Sequence, residues 1–138
     1  MATANEIVAY LAGQSPTLGA AGSTLFIDDM PADPDACGAV FYTGGQAPDL
    51  GFGVDGVQFE NVTLQIRFRG AAGDSNGPRV KAQQAFEALA KIQAPDTLSG
   101  TKYLTAIPLQ PPFVLDRDDQ GHRVVWAFNV LVKKELSA

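Results

Sequence analysis

From Val62 onward every second residue is apolar: Val62, Leu64, Ile66 and Phe68 alternate with Thr63, Gln65, Arg67 and Arg69. A period of two marks a strand with one dry face and one polar face, so the chain must supply a layer to cover the dry side. That layer lies a short way downstream. Ala82, Ala85, Phe86, Leu89 and Ile92 recur at three- and four-residue steps, Lys81, Gln83, Gln84, Glu87 and Lys91 fill the remaining arc, and Pro78 suits the first turn of such a helix. A strand that needs cover, followed by an amphipathic helix that provides it, predicts an α+β fold.

The remaining elements are weaker. Ile7, Val8, Tyr10 and Leu11 fall at helical spacing after Asn5, a candidate cap, and Gly13 followed by Pro16 ends the pattern. Residues 25–27 and 39–43 read as short strands. The stretch 44–55 holds Gly44, Gly45, Pro48, Gly51 and Gly53, too many breakers for a packed element, and reads as a long loop. Tyr103, Thr105, Ile107 and Leu109 begin a strand that runs into Pro111 and Pro112; residues 116–121 form a polar turn. The last strand, 123–133, places Val124, Trp126, Phe128, Val130 and Val132 on one face. The expectation is a single domain over residues 1–138. It has a mostly antiparallel sheet of about five strands with two helices packed on it, a long loop and a long C-terminal hairpin.

A chain of 138 residues with 46% hydrophobic residues supports one core, removing roughly two thirds of the unfolded surface from water. Lys and Arg number 10 against 15 Asp and Glu, and the resulting net charge of −5 repels phosphate backbones. The single cysteine, Cys37, has no partner for an internal disulfide and no second thiol for a metal site, which fits a reducing compartment. The N-terminal stretch lacks the basic start and unbroken apolar run of a secretory leader, and no segment approaches the roughly 20 apolar residues of a membrane span. These features predict a soluble protein that stays in the cell that makes it.

Chemistry-bearing motifs fail their context tests. Gly51, Gly53 and Gly56 have the dinucleotide-fingerprint spacing, but a proline-containing loop precedes them and a strand follows, where the motif needs a strand and then a helix N-terminus. Asp116, Asp118 and Gly121 imitate a calcium loop, yet its fifth position is Gln120 and its twelfth is Ala127. Asp28, Asp29, Asp33 and Asp35 are spread across Pro31 and Pro34 and read as a solvated loop. His122, the one histidine, follows a turn glycine, and no serine sits in a nucleophile elbow. Cys37 has no basic neighbour in sequence to activate it. Asn61-Val62-Thr63 fits a glycosylation sequon that a chain without a leader would not present to that machinery. The sequence predicts no catalytic residue, cofactor or metal.

Arg67 and Arg69 lie on the polar side of their strand, and Arg123 and Lys133 bracket the polar side of the last one. The plain reading is a solvated sheet face. The sharper one is a subunit contact in which these arginines meet carboxylates such as Asp116, Asp118 and Asp119, with Val125 and Leu131 adding apolar area.

The order of features resembles the tail terminators of tailed bacteriophages and the related minor capsid or neck proteins. The likeness rests on Val40-Phe41-Tyr42-Thr43-Gly44-Gly45, then Pro48-Asp49, then the strand 62–69 leading through a glycine-rich loop to the helix at 80–92. Tyr103, Gln110-Pro111-Pro112, the turn 116–121, Arg123 and an apolar closing strand complete it, covering residues 25–132. Order and spacing carry the resemblance, since none of these motifs is diagnostic alone. It implies a non-enzymatic virion protein of the tail or neck, assembled in the host cytoplasm. As a homo-oligomeric, six-membered ring it would stop tail-tube growth and join tail to head. Its implied partners are further copies of itself, the major tail tube protein and a head-tail connector or head-completion protein, with genome DNA passing through the channel unbound. Two projecting segments are the expected contact arms: one carries Tyr42, Gly44, Gly45, Pro48 and Asp49, and the other carries Asp116, Arg117, Asp118 and Asp119. Arg67, Arg69 and Arg123 are expected to add a sheet-face contact. The competing readings are a head-completion protein one ring closer to the capsid, and a small-molecule module using 44–55 as a lid.

Overall fold

The computed structural model describes residues 3–14, 18–50, 58–92, 97–98, 101–118 and 122–135. The chain runs α1 (Thr3–Ala12), β1 (Leu25–Ile27), β2 (Cys37–Leu50), β3 (Gln58–Arg69), α2 (Asn76–Ala90), β4 (Thr97–Leu98), β5 (Thr101–Pro108), β6 (Phe113–Asp118) and β7 (Arg123–Glu135). Two helices on a mostly antiparallel sheet make this the α+β fold that the two periodicities predict. Among the described residues the strands number seven, ordered β1-β2-β3-β7-β5-β4, with β6 also on β7. β3 is paired antiparallel on both sides, to β2 and to β7, and β1 joins β2 in parallel.

Cross-strand partners share a face, so the register carries the alternation of β3 across the sheet. Leu64, Ile66 and Phe68 stand opposite Val130, Phe128 and Trp126. Most of this set is fully buried in one cluster with Ile7, Val8 and Leu11 of α1 and Ala82, Ala85 and Leu89 of α2. Both helices therefore cover the same face. Phe86 meets Phe128 edge to face with centroids 5.7 Å apart, and the Tyr10 hydroxyl donates to the Ala88 carbonyl at 2.8 Å, tying one helix to the other.

Three expectations need correction. β2 continues through most of the stretch read as a loop, because two bulges, between Tyr42 and Gly45 and between Gln46 and Asp49, absorb the breakers without ending the pairing. Gly44 has φ +106°, and a Cβ on Gly45 would collide with the Asn61 carbonyl, so the glycine pair makes the first bulge possible. The C-terminal hairpin is split: β7 pairs with β6 along Arg123–Ala127 and with β5 along Val130–Lys134. Pro111 and Pro112, which lack N–H donors, fall in the break between these two partners. Asn5 caps nothing; it is an exposed residue inside α1. At α2 the Asp74 carboxylate accepts the Gly77 N–H at 2.9 Å and does the capping.

α1 is held by charge as well as by apolar packing. Glu6 is fully buried; the Tyr103 hydroxyl donates to its Oε1 at 3.0 Å, and Lys134 Nζ lies 3.8 Å from the same oxygen and 4.0 Å from Glu60. Glu6 Oε2 has no hydrogen-bond partner among the described residues. A buried carboxylate with one satisfied oxygen depends heavily on its remaining cation. Burial and the Glu6 carboxylate push the Tyr103 hydroxyl above the usual tyrosine range.

A second clasp works at the opposite end of the sheet. Arg69 is 8% exposed. Its guanidinium donates to the carbonyls of Asp35 (2.8 Å), Pro34 (2.9 Å), Ala32 (3.4 Å) and Pro31. Arg123 adds a donor to the Ala32 carbonyl at 2.8 Å and an ion pair with Asp35 at 3.1 Å. The loop 28–36 is thus folded back over the polar side of β3 and β7. Arg69, expected on an open face, is covered by it.

Lys134→Met should lower unfolding free energy by about 2–3 kcal/mol, and Glu6→Gln in the same chain should restore most of the loss, as read by urea melts followed by circular dichroism. Arg69→Leu should cost about 3 kcal/mol by orphaning the loop carbonyls, with Arg69→Lys recovering only a fraction because an ammonium lacks the planar fork. Because the Tyr103 hydroxyl is raised in the folded state, the stability it supplies is complete below about pH 10 and is lost as pH climbs beyond. Tyr103→Phe should therefore show a flatter fall of melting temperature between about pH 10 and 11 than the parent chain.

Candidate assembly surface

The side of the sheet away from the helices is built from the odd-numbered positions of β3 and β7. Thr63, Gln65, Arg67 and Arg69 stand opposite Leu131, Asn129, Ala127 and Val125. β2 contributes Phe41 beside Gln65, β5 contributes Ile107 beside Leu131, and β6 contributes Phe113 beside Ala127. Leu109, whose N–H bonds the Asn129 carbonyl, extends this row. Ile107 is 44% and Leu109 is 54% exposed, so the β5 margin presents apolar area that no helix covers.

A polar chain crosses the middle of this face. The Arg67 guanidinium lies 4.0 Å from the centroid of the Phe41 ring, and its Nε–H donates to Gln65 Oε1 at 2.6 Å. Gln65 Nε2 donates to Asn129 Oδ1 at 3.3 Å, and the Asn129 backbone N–H donates to Gln110 Oε1 at 3.1 Å. Four segments are thereby linked across their strands, and Arg67 is held in one orientation. Burial lowers the Arg67 pKa from its usual value, with Asp116 acting in the opposite sense.

The expected contact residues are dispersed over the fold. Arg69 and Arg123 use their donors on loop 28–36 of their own chain, while half-buried Arg67 bonds through Nε to Gln65 and feels the Asp116 carboxylate. Tyr42 is 41% exposed yet accepts the Ala4 N–H at 2.9 Å and donates its own N–H to Asp28 at 3.0 Å, so it also anchors α1 and β1. Gly44 and Gly45 form the first bulge of β2, and the backbones of Pro48 and Asp49 lie farther along the same strand. Asp116 and Arg117 are exposed on β6, where the Asp116 carboxylate accepts the Arg117 N–H at 2.8 Å; the Asp118 backbone pairs with Arg123. Asp119 and Gly121 lie outside the described residues, as do Gly51, Gly53, Asp55 and Gly56.

Sequence reasoning missed Phe41, Gln65, Gln110 and Asn129 as members of one network. Alternation alone assigns Gln65 and Asn129 to polar sides, but only the register makes them neighbours. The weak chemical motifs stay apart: His122 is exposed with φ +52°, and Ala127, at the would-be twelfth calcium position, is buried in β7. Among the described residues no group of three or more His, Cys, Asp or Glu could hold a metal. Cys37 is buried opposite Arg69, and desolvation raises its thiol pKa, which weakens it as a nucleophile. No described helix is long and apolar enough to cross a membrane.

No curated protein matches this chain. A chain from a structure titled "Virion of native gene transfer agent (GTA) particle" has the same fold: the two superpose with a TM-score of 0.67 at 12% identity, covering 98% of this chain and 96% of that one. The family model described as bacteriophage tail terminator protein matches residues 6–136, which include every described strand, all of α2 and α1 from Glu6 onward. This chain belongs to the bacteriophage tail terminator family.

Proposed function

We propose that this chain forms a closed six-membered ring at the head-proximal end of a phage tail tube, where it ends tube growth and joins tail to head. The observation that carries the reading is the family match over 6–136, which spans the whole sheet with its helix-free face. A structural role for a family member in the phage tail follows from that membership; the ring, its count and its neighbours are the proposed part.

Physical features of the fold support it. A ring requires two different patches of one subunit to meet head to tail. Here the sheet has unlike margins: β2 runs on past the three residues it pairs with β1, and among the described residues β6 pairs only with β7. Each margin offers backbone donors and acceptors to a neighbouring element, with bulges and charges limiting indiscriminate pairing. The work is done by surfaces, so the role calls for no catalytic group. The net charge of −5 suits a channel wall that lets DNA slide past, because backbone affinity depends on cationic contacts.

Electron microscopy of particles made with this gene interrupted should show headless tails of uncontrolled, excessive length, and supply of the intact chain should restore uniform length. Tails of normal length beside unjoined heads would move the protein to the head side of the neck. Intact infectious particles would sink the structural reading.

A further inference from the structure

We propose that Asn76 is a site of spontaneous deamidation and that the first turn of α2 is built to hold it unreactive. Of Asn5, Asn61, Asn76 and Asn129, only Asn76 precedes a glycine, and it is exposed to water. In this reaction the Gly77 backbone nitrogen attacks Cγ of Asn76, the new N–Cγ bond closes a five-membered succinimide, and the Cγ–Nδ2 bond breaks. The Gly77 N–H proton leaves with Nδ2 as ammonia. Water then opens the ring to aspartate or isoaspartate. Glycine favours the attack because no Cβ crowds its nitrogen or restricts its backbone.

The fold both creates this hazard and restrains it. A Cβ on Gly77 would collide with Asp74 Oδ2, so a side chain there would displace the carboxylate that caps α2. The cap therefore requires the glycine that makes Asn76 vulnerable. The same cap occupies the attacking nitrogen, whose N–H is donated to Asp74 Oδ1 at 2.9 Å. On the other side of the reacting pair, Arg79 Nη2 donates to Asn76 Oδ1 at 2.8 Å and holds the amide away from the backbone. Asn76 is the first residue of α2, and ring closure needs a nearly planar Cβ–Cα–C–N torsion that helical ψ does not give. Cyclisation must wait for this turn to fray. Isoaspartate would then add one carbon to the main chain between positions 76 and 77 and pull the Gly77 N–H off Asp74. It would also disturb Ser75, whose Oγ accepts the Trp126 Nε1–H at 3.3 Å.

Peptide mapping by mass spectrometry tests this on the purified full-length chain aged at mildly alkaline pH. The folded parent should gain the amide-to-acid mass change at Asn76 slowly, and at least about tenfold more slowly than the same chain unfolded in urea. Asp74→Ala should raise the folded-state rate about fivefold and Arg79→Ala about twofold, each by removing one restraining hydrogen bond. Asn76→Gln, which would need a larger ring, should abolish the change and keep its melting temperature through ageing while that of the parent falls. Tyr10→Phe loosens α2 at its other end, at the Ala88 carbonyl, and should leave the rate as it is. If Asp74→Ala does not fold, Arg79→Ala at an exposed position decides. Equal acceleration by Tyr10→Phe would assign the protection to overall stability and overturn the local restraint. Slower reaction in Asp74→Ala or Arg79→Ala would mean that the carboxylate and the guanidinium activate the amide, and a folded parent as reactive as the unfolded one would mean that nothing protects it; either result sinks the proposal.

Discussion

The pairing of β3 with β7 is the constraint on which the other elements depend. Eleven consecutive residue pairs, from Phe59 with Glu135 to Arg69 with Val125, fix one register over nearly the full length of both strands. A slip of one residue would turn Leu64, Ile66 and Phe68 toward solvent and bring Gln65 and Arg67 under the helices. With that register set, Phe128 lies where Phe86 of α2 can reach it, Lys134 lies under Glu6 of α1, and Arg67, Gln65 and Asn129 gather on the opposite side. Core, helix attachment and outer face are consequences of one ladder.

The fold class was legible because each layer has its own period. The β3 alternation and the α2 repeat are local patterns, readable without knowing what they touch. Strand ends were not legible. Gly44, Gly45 and Pro48 argued for a loop, and they would terminate a strand with regular pairing; bulges let β2 keep its partner while giving those residues the backbone room they need. β6 was misassigned in the same way, because Asp116, Arg117 and Asp118 look like turn residues but sit on a sheet margin, where one side of the strand is solvated. Local composition reports the chain's preferences, and pairing with a distant strand overrides them.

Long-range polar contacts were the least legible feature of all. Glu6 stands in a helix where an acidic residue ordinarily faces water, and its partners Tyr103 and Lys134 are some hundred positions away. Nothing local distinguishes it from an exposed glutamate. Arg69 shows the reverse case: alternation correctly sends it to the polar side, but loop 28–36 folds over that side and buries it. Alternation decides which face a side chain takes; whether that face is open depends on segments the pattern does not include.

The three arginines of this face show why position outweighs residue type in reading a surface. Arg69 and Arg123 meet backbone carbonyls of a loop rich in proline, a segment whose own N–H groups are too few to satisfy its acceptors internally. Asp35 pairs with Arg123, and the job of both arginines is to hold the loop shape. Arg67 lies one pleat farther along β3, beyond the reach of that loop, and is braced by a ring and an amide that leave its terminal nitrogens open.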